Sequence, residues 1–160
     1  MGVAVCNAAM HKIGWYAEQA RDTSANLGAL LLISAGLQAD ATLSDHATVA
    51  AALAATNDEA TFTNYVRKSL VSPVVTVDNT LDQVRLGLTG AAPVTIQWAA
   101  AGGAVNNLLG KACIYYDPTP GSSTDAQLIP LVWPDVAAQT DGTTLVLTLH
   151  DDGWCRVRKP

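Results

Sequence analysis

Apolar residues recur at every second position through the latter half of this chain, and no other feature restricts its fold as sharply. In GTTLVLTLHDDGW (142–154), Leu145, Leu147 and Leu149 share one face of an extended chain, with Thr144, Val146, Thr148 and His150 opposite. QVRLGLT sets Val84, Leu86 and Leu88 against Arg85 and Gly87, and VTIQW sets Val94, Ile96 and Trp98 against Thr95 and Gln97. Period two is the mark of a half-buried strand, because successive side chains leave a strand on opposite sides. KACIYYD (111–117) is apolar on both faces, as a central strand requires, and LGALLLISAGL (27–37) reads as another buried strand. AQLIPLVW (126–133) is also apolar, but Pro130 lacks a backbone donor, which predicts an edge or a bulge there.

Turn chemistry separates these runs. Asp141-Gly142 precedes the last long alternating run, and DDGW (151–154) leads into a short final strand, WCRVR. Short strands at regular spacing from residue 74 onward predict a mainly β, antiparallel domain, either a sandwich or a barrel. The predicted core of its C-terminal part is Leu86, Leu88, Ile96, Ile114, Leu145, Leu147 and Leu149. One short helix is expected at about 44–56, within TLSDHATVAAALAATND, with Thr42 as N-cap and Asp45 three residues on. Two segments fit either class. FTNYVRKSL (62–70) is a strand with Tyr65 and Arg67 on one face, or a helix through Phe62, Val66 and Leu70; KIGWYAEQARD (12–22) is equally open. No linker divides the chain, so residues 1–160 read as one domain, with 1–24 a candidate N-terminal arm. AAAGGA (99–104) and DPTPGSSTD (117–125) read as surface loops of the kind that meet partners.

Composition narrows the function classes. Of the 160 residues only 14% are charged, against roughly 25% in ordinary soluble domains, while 49% are apolar. So little charge suggests that part of the surface is covered by a partner. The net charge is −5 with nine Lys and Arg in all, so phosphate-driven nucleic-acid binding is not expected. Membrane insertion is not expected either, since no apolar run reaches the length of a span. The apolar N-terminus lacks the basic leader of a signal peptide. Cys6, Cys113 and Cys155 are odd in number and far apart, which is no disulfide framework, and with His11, His46 and His150 scattered no zinc site is expected.

No catalytic set emerges. The chain has no nucleophile elbow, phosphate-cradling loop, paired-histidine zinc motif or EF-hand loop. Asp78 and Asp82 flank one turn, and Asp151 and Asp152 occupy another, where turn formation explains them. His150 sits beside Asp151 without the context of a nucleophile. Trp15, Trp98, Trp133 and Trp154 would build a sugar-stacking platform only if exposed. The reading is a protein that is no enzyme and needs no cofactor or metal.

From about residue 25 onward the chain resembles a group of small structural proteins of tailed-bacteriophage virions. The resemblance is carried by ADATLSDHATVAAALAATNDEATFTNYVRKSL, VTVDNTLDQVRLGL, VNNLLGKACIYYDPTPGSSTDAQLIPL and DGTTLVLTLHDDGWCRV. The group shares an NDEATFTNYAR-like segment, a VDDTNNRV-like hairpin, a KLLICYD…IIPL-like strand pair and a last strand after an Asp-Gly turn. It implies a head decoration or minor tail protein, made in the host cytoplasm and carried in the virion. The favoured expectation is capsid decoration at the capsid surface, with the major capsid protein and further copies of this chain as partners. A minor tail or neck role is the alternative, and a carbohydrate- or receptor-binding sandwich is a third. The candidate partner contacts are Arg156, Arg158 and Lys159 at the chain end.

Overall fold

The computed structural model describes residues 3–5, 12–22, 25–70, 73–78, 83–88, 94–149 and 155–158. Among them are ten strands: β1 (Val3–Val5), β2 (Asn26–Ile33), β3 (Lys68–Leu70), β4 (Pro73–Asp78), β5 (Gln83–Leu88), β6 (Val94–Trp98), β7 (Leu108–Asp117), β8 (Ile129–Gln139), β9 (Leu145–Leu149) and β10 (Cys155–Arg158). Three helices accompany them: α1 (Ile13–Asp22), α2 (Asp40–Asp45) and α3 (Val49–Ala54). The fold is mainly β and its strand pairs are antiparallel. The strands form a five-stranded sheet in the order β1-β8-β7-β2-β3, a three-stranded sheet β10-β5-β4 and a two-stranded ribbon β6-β9. None of these closes into a barrel.

β2 and β7 are the runs that looked apolar on both faces, and they lie side by side inside the large sheet. Leu27 to Leu32 are buried along β2, and Lys111 to Tyr116 along β7. β8 flanks β7 on its other side, with Leu131, Val132 and Trp133 fully buried. Pro130 is accommodated by a bulge. Ile114 pairs with Val132 but Tyr115 with Pro130, so β8 carries one residue more than β7 between those pairs. β1 covers only Val132 to Pro134, which leaves Pro130 without a ladder partner on that side.

The open segment 12–22 resolves as helix from Ile13 to Asp22. Ile13, Ala17 and Ala20 recur at helical spacing, and all three are buried. α1 packs against β2 and β7 on one hand and against β4 and β5 on the other. Tyr16 stacks on Tyr116 of β7 at 4.8 Å between ring centroids. The segment 62–70 takes neither proposed form throughout, because Asn64 has φ 70°, outside both helix and strand, and only Lys68–Leu70 joins the sheet.

The single helix expected at 44–56 is two. α2 begins before Thr42, after Ala39, and no side chain caps it. His46 is extended, and Thr48 caps α3 instead, its hydroxyl accepting from the Ala51 amide at 3.2 Å. The break has a tertiary cause. The Val49 and Ala50 amides donate to the carbonyls of Leu128 and Asp125, both at 3.0 Å, so the new helix starts where a neighbouring loop supplies acceptors.

The ribbon pairs β6 with β9 in register, Ile96 opposite Leu147 and Trp98 opposite Leu145. Ile96, Trp98 and Leu149 are buried, Leu145 and Leu147 half-buried, and Val146 and Thr148 exposed, so the alternation chooses the core face as expected. Ile114 is fully buried; the side chains of Leu86 and Leu88, in β5, are outside the described set. Ile114→Ala should lower unfolding free energy by about 2–5 kcal/mol, and Val146→Ala by less than about 0.5 kcal/mol. Urea denaturation of both variants measures the contrast.

Candidate interaction surface

Three loops gather at one end of the molecule: residues 61–66, 99–107 and 140–144. Hydrogen bonds tie them to one another. The Thr63 amide donates to Val105 O at 3.1 Å, Val105 N to Thr63 Oγ1 at 3.0 Å and Gly102 N to Thr63 O at 3.0 Å. Asn64 Nδ2 donates to Ala100 O at 2.9 Å, and Ala101 N to Thr143 O at 2.8 Å. Asn107 Oδ1 accepts from Thr61 N at 2.7 Å, while the Asn107 amide donates to Oγ1 of buried Thr140 at 2.8 Å. Asp141 closes the last loop by accepting from the Thr143 hydroxyl and amide, which hold its carboxyl below the usual range.

Positive-φ backbone is concentrated here. Five of the seven positive-φ residues among the described residues fall in these loops: Asn64, Ala100, Gly102, Gly103 and Gly142. Ala100, at φ 47°, has a Cβ that crowds the backbone in this region. Gly102 has no alternative, since a Cβ there would collide with Asn106 Oδ1. Such strain persists only where surrounding structure over-determines it. Two of the three loops are free of charge, and the third carries only the exposed Asp141 carboxylate. No residue of 61–66 or 99–108 is charged, and Val66, Val105 and Leu108 are each at least half exposed. AAAGGA is therefore a pinned platform.

A second bracket sits at Arg67. Its guanidinium donates to both oxygens of Glu59, Nε to Oε1 at 2.8 Å and Nη2 to Oε2 at 2.5 Å. It also donates to both oxygens of Asp125, at 2.5 and 3.1 Å. Tyr65 joins them, donating to Glu59 Oε1 at 2.7 Å and accepting from the Leu31 amide at 3.1 Å. Burial above all, and then Glu59, pushes the Tyr65 hydroxyl up, while Arg67 holds the Asp125 carboxyl below 3.8. The loop 117–125 is thereby clamped to the five-stranded sheet. Arg67 also borders a pocket of about 180 Å³ with Asn26, Ser69 and Tyr115. Four of its five N–H donors already serve the two carboxylates, so the guanidinium works as a brace. The sequence offered one signal for this cluster, Tyr65 and Arg67 two residues apart; Glu59 and Asp125 carried none.

Of the contact residues expected at the chain end, Arg156 and Arg158 lie on β10, an edge of the three-stranded sheet, and Lys159 is outside the described residues. Arg156 is registered opposite Arg85 and Arg158 opposite Gln83. Trp98 and Trp133 are 1% and 0% exposed, so neither is available to stack on a sugar; Trp15 is 49% exposed beside Tyr16. His150, Asp82, Asp151, Asp152 and Trp154 lie outside the described residues, and Asp78 ends β4. Among the described residues no three His, Cys, Asp or Glu side chains are grouped to hold a metal, and no helix is long and apolar enough to cross a membrane. No known family model, curated protein or solved structure matches this chain.

Two measurements probe these brackets. Ala→Gly in ordinary structure costs roughly 0.5–1 kcal/mol, but Ala100→Gly should leave stability unchanged or raise it by up to about 1 kcal/mol. A urea midpoint below wild type would contradict the strain at residue 100. Arg67→Met should cost about 1–2 kcal/mol, because it leaves two partly exposed, solvent-screened carboxylates without their cation. Asp125 has a depressed folded value, so its contribution is present above 3.8 and lost as pH falls through that lower value. The penalty of Arg67→Met should therefore shrink in acid, as urea titrations above and below 3.8 would record.

Proposed function

We propose that this chain is a non-enzymatic structural protein of a tailed-phage virion, binding the outer surface of the assembled head and stabilising it. The observation that carries the reading is the pinned, charge-free platform of 61–66 and 99–108 with Val66, Val105 and Leu108 outward. Desolvating it against a partner exposes no unpaired charge, and its loops lose little conformational freedom on docking because they are already tied. The segment-by-segment resemblance to small virion proteins supplies the class of partner, a capsid subunit. A ligand that binds the assembled shell and not its free subunits stabilises the shell by mass action, and many weak copies suffice.

The arginines of β10 fit a second, electrostatic contact. Both lie on an edge strand, in register with Arg85 and Gln83, and the partner groups proposed for them are acidic. The sugar-binding alternative is weakened by the burial of Trp98 and Trp133. The minor tail or neck alternative differs in stoichiometry and in the consequence of loss. Particles without this protein should still form heads but release DNA at lower temperature, and wild-type particles should carry hundreds of copies. Val105→Lys should reduce occupancy on purified heads without changing the melting temperature of the free protein. Failure to build heads, or sound heads lacking tails, would overturn the capsid reading in favour of tail or neck.

A further inference from the structure

One face of the five-stranded sheet is polar at its β3 end, and strand register explains how it is assembled. Ser69 on β3, Gly28 on β2 and Tyr115 on β7 stand in one row across three strands. Asn26 pairs with Asp117 two residues along, so all five positions share a face. Gly28 makes the row possible. A Cβ there would overlap the end of the Tyr115 side chain, ring carbons and Oη alike, so the glycine lets that ring lie across β2. Arg67 enters from the segment before β3, and the loop that it clamps through Asp125 adds Pro120 and Gly121 to the wall. These residues enclose the pocket of about 180 Å³, and all that line it are among the described residues.

Tyr115 is 6% exposed and lines this pocket, yet among the described residues its hydroxyl makes no hydrogen bond. A buried hydroxyl without a partner destabilises a fold, and phenylalanine would cover Gly28 without that cost. Burial pushes the hydroxyl up to about 12, against the pull of Arg67, so it stays a neutral donor. Three further donors line the same pocket. Ser69 Oγ accepts from Asn26 Nδ2 and keeps its own O–H, and Asn26 keeps a second Nδ2 hydrogen. Arg67 keeps the fifth of its N–H groups. One acceptor joins them: Asp117, whose Oδ1 takes the Thr119 amide and whose Oδ2 has no bond among the described residues.

We propose that this pocket binds one neutral polyhydroxylated ring, a single hexose unit, through the Tyr115, Ser69, Asn26 and Arg67 donors and the Asp117 carboxylate. Charge decides against an anion. Glu59 and Asp125 already neutralise Arg67, and Asp117 adds a further carboxylate to the wall. Lys68 points to the other face of β3, where its ammonium lies 5.8 Å from the Trp98 ring. Donors beside a free carboxylate oxygen suit vicinal hydroxyls, each of which accepts hydrogen bonds and donates one. A ligand with carbonyl oxygens alone would leave Asp117 unmet. Size agrees, because 180 Å³ is below the roughly 300–1,000 Å³ of sites for drug-sized molecules and holds one ring, not a chain. Such a site needs no stacking platform of Trp98 and Trp133, and it does not rest on the capsid reading.

The experiment is an NMR chemical-shift titration of the full-length protein with the methyl glycosides of glucose, mannose and galactose, and separately with acetate and inorganic phosphate. At least one glycoside should give saturable shifts at the amides of Asn26, Gly28, Ser69 and Gly121, and neither anion should. Tyr115→Phe should keep or raise the melting temperature, because it removes an unpartnered hydroxyl. It should also weaken binding of that glycoside about three- to tenfold, the worth of one hydrogen bond. Ser69→Ala, at an exposed position, should weaken binding by a similar factor and leave the fold unchanged. Absence of saturable shifts with all three glycosides would overturn the proposal, as would saturation of the same amides by acetate or phosphate. Binding that survives both substitutions would overturn it too, and so would a lower melting temperature for Tyr115→Phe, which would give the hydroxyl a structural partner. None of these results depends on phage heads, so failure here is separable from failure of the capsid reading.

Discussion

The ladder between β2 and β7 sets the terms for everything else. It pairs residues from Asn26–Asp117 to Ile33–Leu109, and both of its faces are buried. A sheet buried on two sides needs cover on both, and cover has to come from elements that expose a polar back to water. α1 supplies such cover with Ile13, Ala17 and Ala20, and in turn gives β4 and β5 something to pack on. Within the ladder, Gly28 faces Tyr115, whose ring occupies the volume a Cβ would need. The aromatic ring thus fills the gap that glycine leaves.

A charged residue inside this buried zone shows how strict the arrangement is. Lys111 on β7 is 4% exposed, and its ammonium is held by Asp40 of α2 at 2.7 Å and by Asp135 of β8. Burial pulls its pKa down, but the two carboxylates outweigh burial and the net value is raised. A charge kept in the core on those terms joins a helix to two strands. Asn57 does similar work without charge. It is fully buried, and bonds the backbone of Gln38 and Ala52 and the Gln38 side chain, which itself meets His46.

Low charge overall says little until its distribution is known. Lys68 lies on β3 and Arg156 and Arg158 on β10, all on edge strands, while the three loops and the β6–β9 ribbon hold no Arg or Lys. The neutral regions also differ in kind. The platform is held by side-chain hydrogen bonds and strained backbone, which suits docking as a preformed shape. The ribbon is a two-stranded ladder whose outward positions, Val146 and Thr148, are exposed.

Much of the β framework was legible in the chain because period two and apolar runs are local signals. They marked β2 and β7 as buried, put an edge or a bulge at Pro130 and set Leu145, Leu147 and Leu149 on the core side of β9. What local pattern could not decide was settled by distant partners. The split between α2 and α3 depends on the carbonyls of Asp125 and Leu128, which lie far along the chain from the helix they interrupt. Arg67 is a brace only because the fold brings Glu59 and Asp125 to its two sides. Leu145 and Leu147 stay half-buried in a ribbon that, among the described residues, has only β6 and β9, a fact of sheet order that no spacing of residues encodes. Alternation determined which side chains seek the core; tertiary structure decided which of them find a neighbour, because strand pairing joins residues far apart in the chain.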